Sequence, residues 1–334
     1  MYFRDRFFSR NTQQGWVIGM TLLSSLVSAS DFVDPAPPEV HVVPAAAPST
    51  KPISFEGLTF HSPPKPLSPE AVVADWPRFL GPTDNSKTPE THLLDQFPES
   101  GLKVVWEMAK GTSYTSPVIA AGRLITFNRF EDEEVVQCLD PETGQQFWSY
   151  RYPVSYTDRY GFANGPRASA VIDSGLVYTL GVTSTLTCLD LATGTEVWQR
   201  HLATEFPIAS YFFGHGCCPL VRQGKVIVPL GTTDQLSVAA FDQHTGKLLW
   251  GTKHQWNASY ASPIVATLQG KERLLVLAGG ESDPATGGLL CIDLETGALH
   301  DAFPWRPDKY ESVNGSTPVA VGDDRVYISA AYSK

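Results

Sequence analysis

One motif, Asp-x-x-Thr-Gly-x-x-x-Trp, returns along this chain with a near-constant period, and it limits the fold more than any other feature. It occurs in CLDPETGQQFW (138–148), CLDLATGTEVW (188–198) and AFDQHTGKLLW (240–250), and again, with Asp301 in place of the tryptophan, in CIDLETGALHD (291–301). The motif residues Asp140, Asp190, Asp242 and Asp293 are 50, 52 and 51 residues apart. Each position has a physical task. The aspartate carboxylate can accept backbone N–H groups two residues on, which starts a turn. Gly144, Gly194, Gly246 and Gly297 fall where that turn needs positive φ. Trp148, Trp198 and Trp250 place one large flat side chain per repeat, suited to the space between stacked sheets.

A second signature precedes each motif: a small residue, often with Pro after it, then two apolar runs around a turn. It reads SPVIAAGRLITF (116–127), SAVIDSGLVYTL (169–180), CPLVRQGKVIVPL (218–230), SPIVATLQGKERLLVL (262–277) and TPVAVGDDRVYIS (317–329). Together the two signatures give four strands per repeat, which predicts an all-β chain, a β-propeller of four-stranded blades. At one end GLKVVWEMA (101–109) reads as a lone outer strand with Trp106 in the tryptophan position. At the other, the fifth unit supplies only two strands, so about four and a half blades are expected and residues 75–334 read as a C-terminally incomplete propeller. Where Asp301 replaces tryptophan, Phe303 or Trp305 is expected to fill the space.

The N-terminal part is of a different kind. Arg4, Arg6 and Arg10 precede an apolar run from Trp16 to Val27 and the small residues Ser28, Ala29 and Ser30. Residues 1–30 thus have the basic, apolar and small parts of a signal peptide, with an uncleaved N-terminal anchor as the other reading. The apolar run is shorter than the roughly 20 residues that span a bilayer, so membrane contact is expected only through an uncleaved N-terminus. Residues 31–74 hold ten prolines with Ala and Ser between them, and read as an extended linker that buries little. The net charge of −10, with no basic cluster past the first ten residues, argues against nucleic-acid binding.

The repeat, with the lead-in DWPRFLGPTDNSKTPETHLL (75–94), resembles the PQQ-like family of exported β-propellers, which includes pyrroloquinoline-quinone dehydrogenases, the assembly lipoprotein BamB and planctomycete members. The resemblance implies an eight-bladed parent and two functions. One is an exported, periplasmic or envelope-associated, non-catalytic scaffold that binds an envelope protein or a small ligand without a cofactor. The alternative is a PQQ- and Ca²⁺-dependent alcohol or sugar dehydrogenase, or a truncated relic of one. No cysteine lies in the signal region, so the lipid anchor of BamB-type proteins is not implied. No complete Glu/Asn/Asp set for Ca²⁺ maps onto the chain, and neither a catalytic residue nor a metal ligand is assigned.

The remaining candidates are unrepeated. Cys138, Cys188 and Cys291 share one position with Ala240 and read as small buried strand residues. Cys217 and Cys218 are adjacent; the resemblance implies a vicinal disulfide like that beside the quinone of methanol dehydrogenases. Against this, Cys217-Cys218-Pro219 stands where other repeats have Thr115-Ser116-Pro117 and Ala261-Ser262-Pro263, so small-residue packing is the other reading. Residues just before each first strand should gather at one mouth of the central channel, and there the binding candidates are Tyr114, Asn164, Arg167, His215, Tyr260 and Asn314.

Overall fold

The computed structural model describes residues 32–43, 51–209 and 211–330; the signal or anchor segment, residues 1–30, lies outside them. The architecture is all-β with a single short helix, α1 (Leu202–Glu205), among the described residues. Leu58–Phe60 (β1) pairs with Trp106–Met108 (β2). Blade one comprises β3 (Val118–Ala120), β4 (Arg123–Phe130), β5 (Glu133–Leu139) and β6 (Gln146–Pro153). Blade two comprises β7 (Val171–Asp173), β8 (Leu176–Leu180), β9 (Thr185–Asp190) and β10 (Glu196–His201). Blade three comprises β11 (Leu220–Arg222), β12 (Lys225–Pro229), β13 (Leu236–Asp242) and β14 (Leu248–Lys253). Blade four comprises β15 (Ile264–Leu268), β16 (Lys271–Ala278), β17 (Gly288–Asp293) and β18 (Leu299–Pro304). A last pair, β19 (Val319–Val321) and β20 (Arg325–Tyr327), begins the next unit. Each blade is an antiparallel sheet in sequence order. First strands β3 and β11 both lie against β7, so the inner strands converge as in a propeller. No helix of the described residues is long and apolar enough to cross a membrane.

The motif does what its chemistry predicts. The Asp140 carboxylate accepts the N–H groups of Glu142 (3.0 Å) and Thr143 (2.8 Å) and the Thr143 hydroxyl (3.0 Å). Asp190, Asp242 and Asp293 hold Thr193, Thr245 and Thr296 in the same way. The turn glycine then has φ near +70° and lies under the tryptophan of the preceding blade. A Cβ on Gly194 would sit 2.5 Å from Trp148, and one on Gly297 2.4 Å from Trp250. The indole N–H groups of Trp106, Trp148 and Trp198 donate to backbone carbonyls of the following blade at 3.0 to 3.1 Å. Trp106 on β2 is docked on Gly144 like the others, as its sequence position predicts. Every blade also carries a register shift in its outermost pair beside this position, a bulge that turns the ring toward the next blade.

The core is therefore a series of layers between blades. One lies between blades one and two, one between two and three and one between three and four. The fourth lies between blade four and the β19–β20 pair, and Phe303 and Trp305 pack there. Asp301 itself keeps the tryptophan register, opposite Cys291. Cys138, Cys188 and Ala240 stand opposite Trp148, Trp198 and Trp250, where a small side chain leaves room for the ring. Burial pushes the thiols of Cys138 up to about 12 and Cys291 up to about 11, as for inert core cysteines.

Cys217 and Cys218 are buried and stand unjoined at the start of blade three. Cys218 takes part in a relay at the blade starts. The Ser116 N–H donates to the Ser169 hydroxyl (2.8 Å), the Ser169 N–H to the Cys218 sulfur (3.2 Å), and the Cys218 N–H to the Ser262 hydroxyl (2.9 Å). Cys218 thus occupies a serine position in a chain of bonds linking four blades. Cys218→Ser should leave the unfolding free energy close to that of wild type, whereas Cys218→Ala should cost about 1–3 kcal/mol through the unpaired Ser169 N–H; thermal unfolding of the two variants checks this.

The Pro-rich stretch is extended and mostly exposed, and its described residues touch the blades. Phe32 and Val43 pack against the layer between blades two and three. The His41 N–H donates to the Val197 carbonyl on β10 (2.8 Å), and Ile53 exchanges two hydrogen bonds with Gln146 on β6. Next, β1 supplies the partner that the lone strand β2 lacked in the sequence reading. The segment thus runs along the outer edges of blades three, two and one in turn and satisfies N–H and C=O groups that an edge leaves open. The lead-in does the same on the inside: Trp76 exchanges two hydrogen bonds with Ile119 on β3, and the Pro77 carbonyl accepts from Ile172 on β7.

Candidate functional site

The loops leading into blades one to four come together at one cleft of about 330 Å³, lined by Tyr114, Phe162, Arg167, Phe213, Gly216 and Tyr260. Its walls are rings in mutual contact. Phe213 lies 6.0 Å from Phe162, 5.6 Å from Tyr260 and 5.8 Å from Tyr160, centroid to centroid. Tyr114, Tyr160 and Phe162 are more than half exposed, so the cluster opens to solvent. Gly216 is required by close approach: a Cβ there would fall 2.6 Å from the Tyr260 ring.

The longest loop, residues 156–167, is held by two arginines. Arg129 on β4 donates to the carbonyls of Tyr156 (2.7 Å) and Asn164 (3.1 Å) and so fixes both ends. Arg167 meets the fully buried Asp158 carboxylate at 2.7 Å and also donates to the carbonyls of Gly165 and Ala163. Its guanidinium lies 5.6 Å from the rings of Tyr114 and Tyr156 and 5.8 Å from Phe213. The cation is thus matched by a carboxylate and sandwiched by rings. Behind the cleft, Glu281 accepts the Tyr260 hydroxyl (2.8 Å) and the Phe212 N–H (3.2 Å). Burial raises the Glu281 carboxyl above the usual range despite those two donors. Burial likewise pushes the Tyr260 hydroxyl up.

Of the six residues expected at the mouth, Tyr114, Arg167 and Tyr260 line the cleft. The other three turn into the scaffold. Asn164 caps the Asp158 N–H at 2.8 Å and shapes the loop. His215 is buried against the Ser184 hydroxyl (2.9 Å), and burial pushes it down to about 4, so it is neutral. Asn314 is buried and donates to the Gly279 carbonyl at 3.0 Å. Phe162, Phe213 and Asp158 were not singled out from the sequence, although Phe162 lies in the aromatic run YTDRYGFANGPR (156–167) and YFF (211–213) marks the corresponding loop of blade three.

Chemically the cleft offers stacking faces around a neutralised guanidinium. Calcium takes about six to eight oxygens; of the two buried carboxylates here, Asp158 is paired with Arg167, and Glu281 accepts through Oε1 while its buried Oε2 has no hydrogen-bond partner. No group of three or more His, Cys, Asp or Glu among the described residues could hold a metal ion.

A family described as "Outer membrane protein assembly factor BamB" matches residues 132–334. A quinoprotein ethanol dehydrogenase of Pseudomonas putida is 26% identical over 282 residues, 80% of this chain and 41% of that protein. The chain thus spans about two fifths of that relative's length. Among solved structures, quinohemoprotein alcohol dehydrogenase from Comamonas testosteroni aligns with a TM-score of 0.47 at 18% identity, over 66% of this chain and 40% of that one. BamB from Moraxella catarrhalis aligns with a TM-score of 0.36 at 17% identity, over 67% of this chain and 76% of that one. With its repeated turn motif, its four-stranded blades and a family match over more than half its length, the chain belongs to the PQQ-repeat family described as outer membrane protein assembly factor BamB.

Proposed function

We propose that this chain is an exported, non-catalytic propeller that binds a partner protein of the cell envelope by taking an apolar or aromatic side chain into the Tyr114–Phe162–Phe213–Tyr260 cleft. The observation that carries this reading is the open aromatic cluster around a guanidinium already matched by Asp158. Exposed Tyr, Phe and Arg grouped in a concavity are the composition of an interface hot spot. The family description names an assembly factor, which is in keeping with a binding role. A photo-crosslinking residue at position 162 in the expressing cell should give one discrete adduct, and one at the outer-rim position 249 should not. With the adduct partner purified, Phe162→Ala or Phe213→Ala should each weaken binding about 30-fold, the roughly 2 kcal/mol of a hot-spot aromatic. Phe162→Ala should leave the melting temperature unchanged, because its ring is 56% exposed. Equal affinity in both variants removes the reading.

A second reading, quinone-dependent alcohol oxidation, is favoured by the name of the Pseudomonas putida relative. Titration with PQQ and Ca²⁺ separates the two. Saturable quinone absorbance with dye-linked ethanol oxidation supports the second, and no bound quinone supports the first.

A further inference from the structure

The outer edges of blades two and three meet around a side chain that the repeat does not explain. Arg200, two residues after Trp198, stands where the other blades have Tyr150, Thr252 and Phe303. It is fully buried, yet its partners are charged. Its Nε donates to Glu205 (2.7 Å), and its two terminal nitrogens meet both Asp34 carboxylate oxygens, at 3.1 and 2.6 Å. One of those nitrogens also reaches the Gly246 carbonyl across the blade junction, at 2.8 Å. The same Asp34 carboxylate accepts the Leu248 N–H on β14 at 2.7 Å.

A second break in the repeat lies beside it. The residue after each motif tryptophan is Ser149, Gln199 or Gly251. Only the glycine leaves a flat seat, and the Phe32 ring takes it: a Cβ on Gly251 would lie 2.7 Å from that ring. The two residues that depart from the repeat thus form one concavity, apolar at one end and cationic at the other.

We infer that this junction is a recognition groove for an extended segment with an aromatic side chain two residues before an aspartate, and that residues 32–43 fill it in cis as a clasp. The spacing fits the chemistry. In extended chain, residues two apart point to one face, so Phe32 and Asp34 reach seat and guanidinium together. The prolines that follow keep the backbone extended, and the His41 N–H makes the last anchoring bond to β10. A buried guanidinium needs a paired oxygen acceptor, and the clasp supplies it. The groove lies on the outer rim and its residues are separate from those of the aromatic cleft, so it stands or falls independently of the function proposed for that cleft.

The test uses the full chain carrying Phe32→Ala with Asp34→Asn, which undocks the clasp while leaving the blades unaltered, and a fluorescent peptide of residues 32–43. Anisotropy should show saturable binding to this variant, binding at least about tenfold weaker to wild type, whose groove is filled, and none when Gly251→Ala is added. Independently, the Leu248 amide should exchange slowly with solvent in wild type and at least about tenfold faster in Asp34→Asn. Failure of the peptide to bind, equal binding to wild type, or unchanged Leu248 exchange overturns the assignment. So does a concentration-dependent dimer that exchanges the segment between copies.

Discussion

Arg200→Met should lower the unfolding free energy by about 3–5 kcal/mol, as removing one partner of a buried ion pair does. Methionine replaces much of the stem but none of the donors. It would leave Asp34 and Glu205, whose side chains are 17% and 11% exposed, facing each other without a cation. It would also orphan the Gly246 carbonyl and remove a guanidinium lying 4.8 Å from the Phe241 ring. Asp34→Asn should cost less, about 1–2 kcal/mol, because Arg200 keeps Glu205 and an amide oxygen still accepts a bond. The pH dependence follows from the Asp34 carboxyl. Burial works to raise it, but the Arg200 and Leu248 hydrogen bonds with the Arg200 charge outweigh that and hold it below its ordinary value. A carboxyl depressed in the folded state contributes stability that is present above the unfolded value, near 3.9, and lost as pH falls through the folded one. The wild-type clasp should thus be steady from neutral pH to about 4. In Arg200→Met the Asp34 carboxyl loses those hydrogen bonds and that charge while its burial remains, so it titrates upward instead, and the deficit should be largest at neutral pH and shrink on acidification. Urea unfolding followed by tryptophan fluorescence at neutral and acid pH measures both.

The blades were legible because their information is local and repeated. Asp140 to Gly144 form a turn whatever surrounds them, and the tryptophan offset follows from it. The clasp was not legible, because a proline-rich segment has no periodicity to betray the surface it meets. Its signature lay in the partners instead: Arg200 is the charged residue at a position that holds Tyr150, Thr252 and Phe303 in the other blades, and a buried arginine with no local acid other than Glu205 calls for a distant carboxylate. The cleft shows a related limit. Alignment locates a loop but not the direction of a side chain within it. Tyr260 and His215 occupy similar loops, yet the Tyr260 ring enters the cleft over Gly216 while the His215 ring turns inward to Ser184. For Cys218 the comparison between repeats locates the position, because the relay asks for a small acceptor and serine fills it in the neighbouring blades.

Trp198→Ala should cost about 3–5 kcal/mol, the range for a buried large aromatic. The ring is wholly buried, packs 6.1 Å from Tyr178, and donates to the Gln243 carbonyl in the next blade at 3.1 Å. Trp106→Ala should cost less, about 1–2 kcal/mol, because that ring is only partly buried and the apolar area lost is smaller. The reciprocal change, Gly246→Ala, presses on the same contact from the other blade. Its Cβ would meet the Trp198 ring at 2.8 Å, and its φ of +65° already disfavours a side chain. It should cost about 2–4 kcal/mol, part steric overpacking and part backbone strain. The double variant decides how the blades are joined. If tryptophan and glycine dock on one another, removing the ring frees the space that the new methyl needs. The backbone strain of Gly246→Ala and its contact with Pro38 Cγ, also at 2.8 Å, then remain, and the double variant falls short of the sum of the single ones by about 1–2 kcal/mol. Additive losses would mean that ring and turn stabilise their blades separately. Denaturant unfolding of the four proteins in that cycle gives the coupling, and a clear shortfall identifies the Trp–Gly contact as the joint between successive blades.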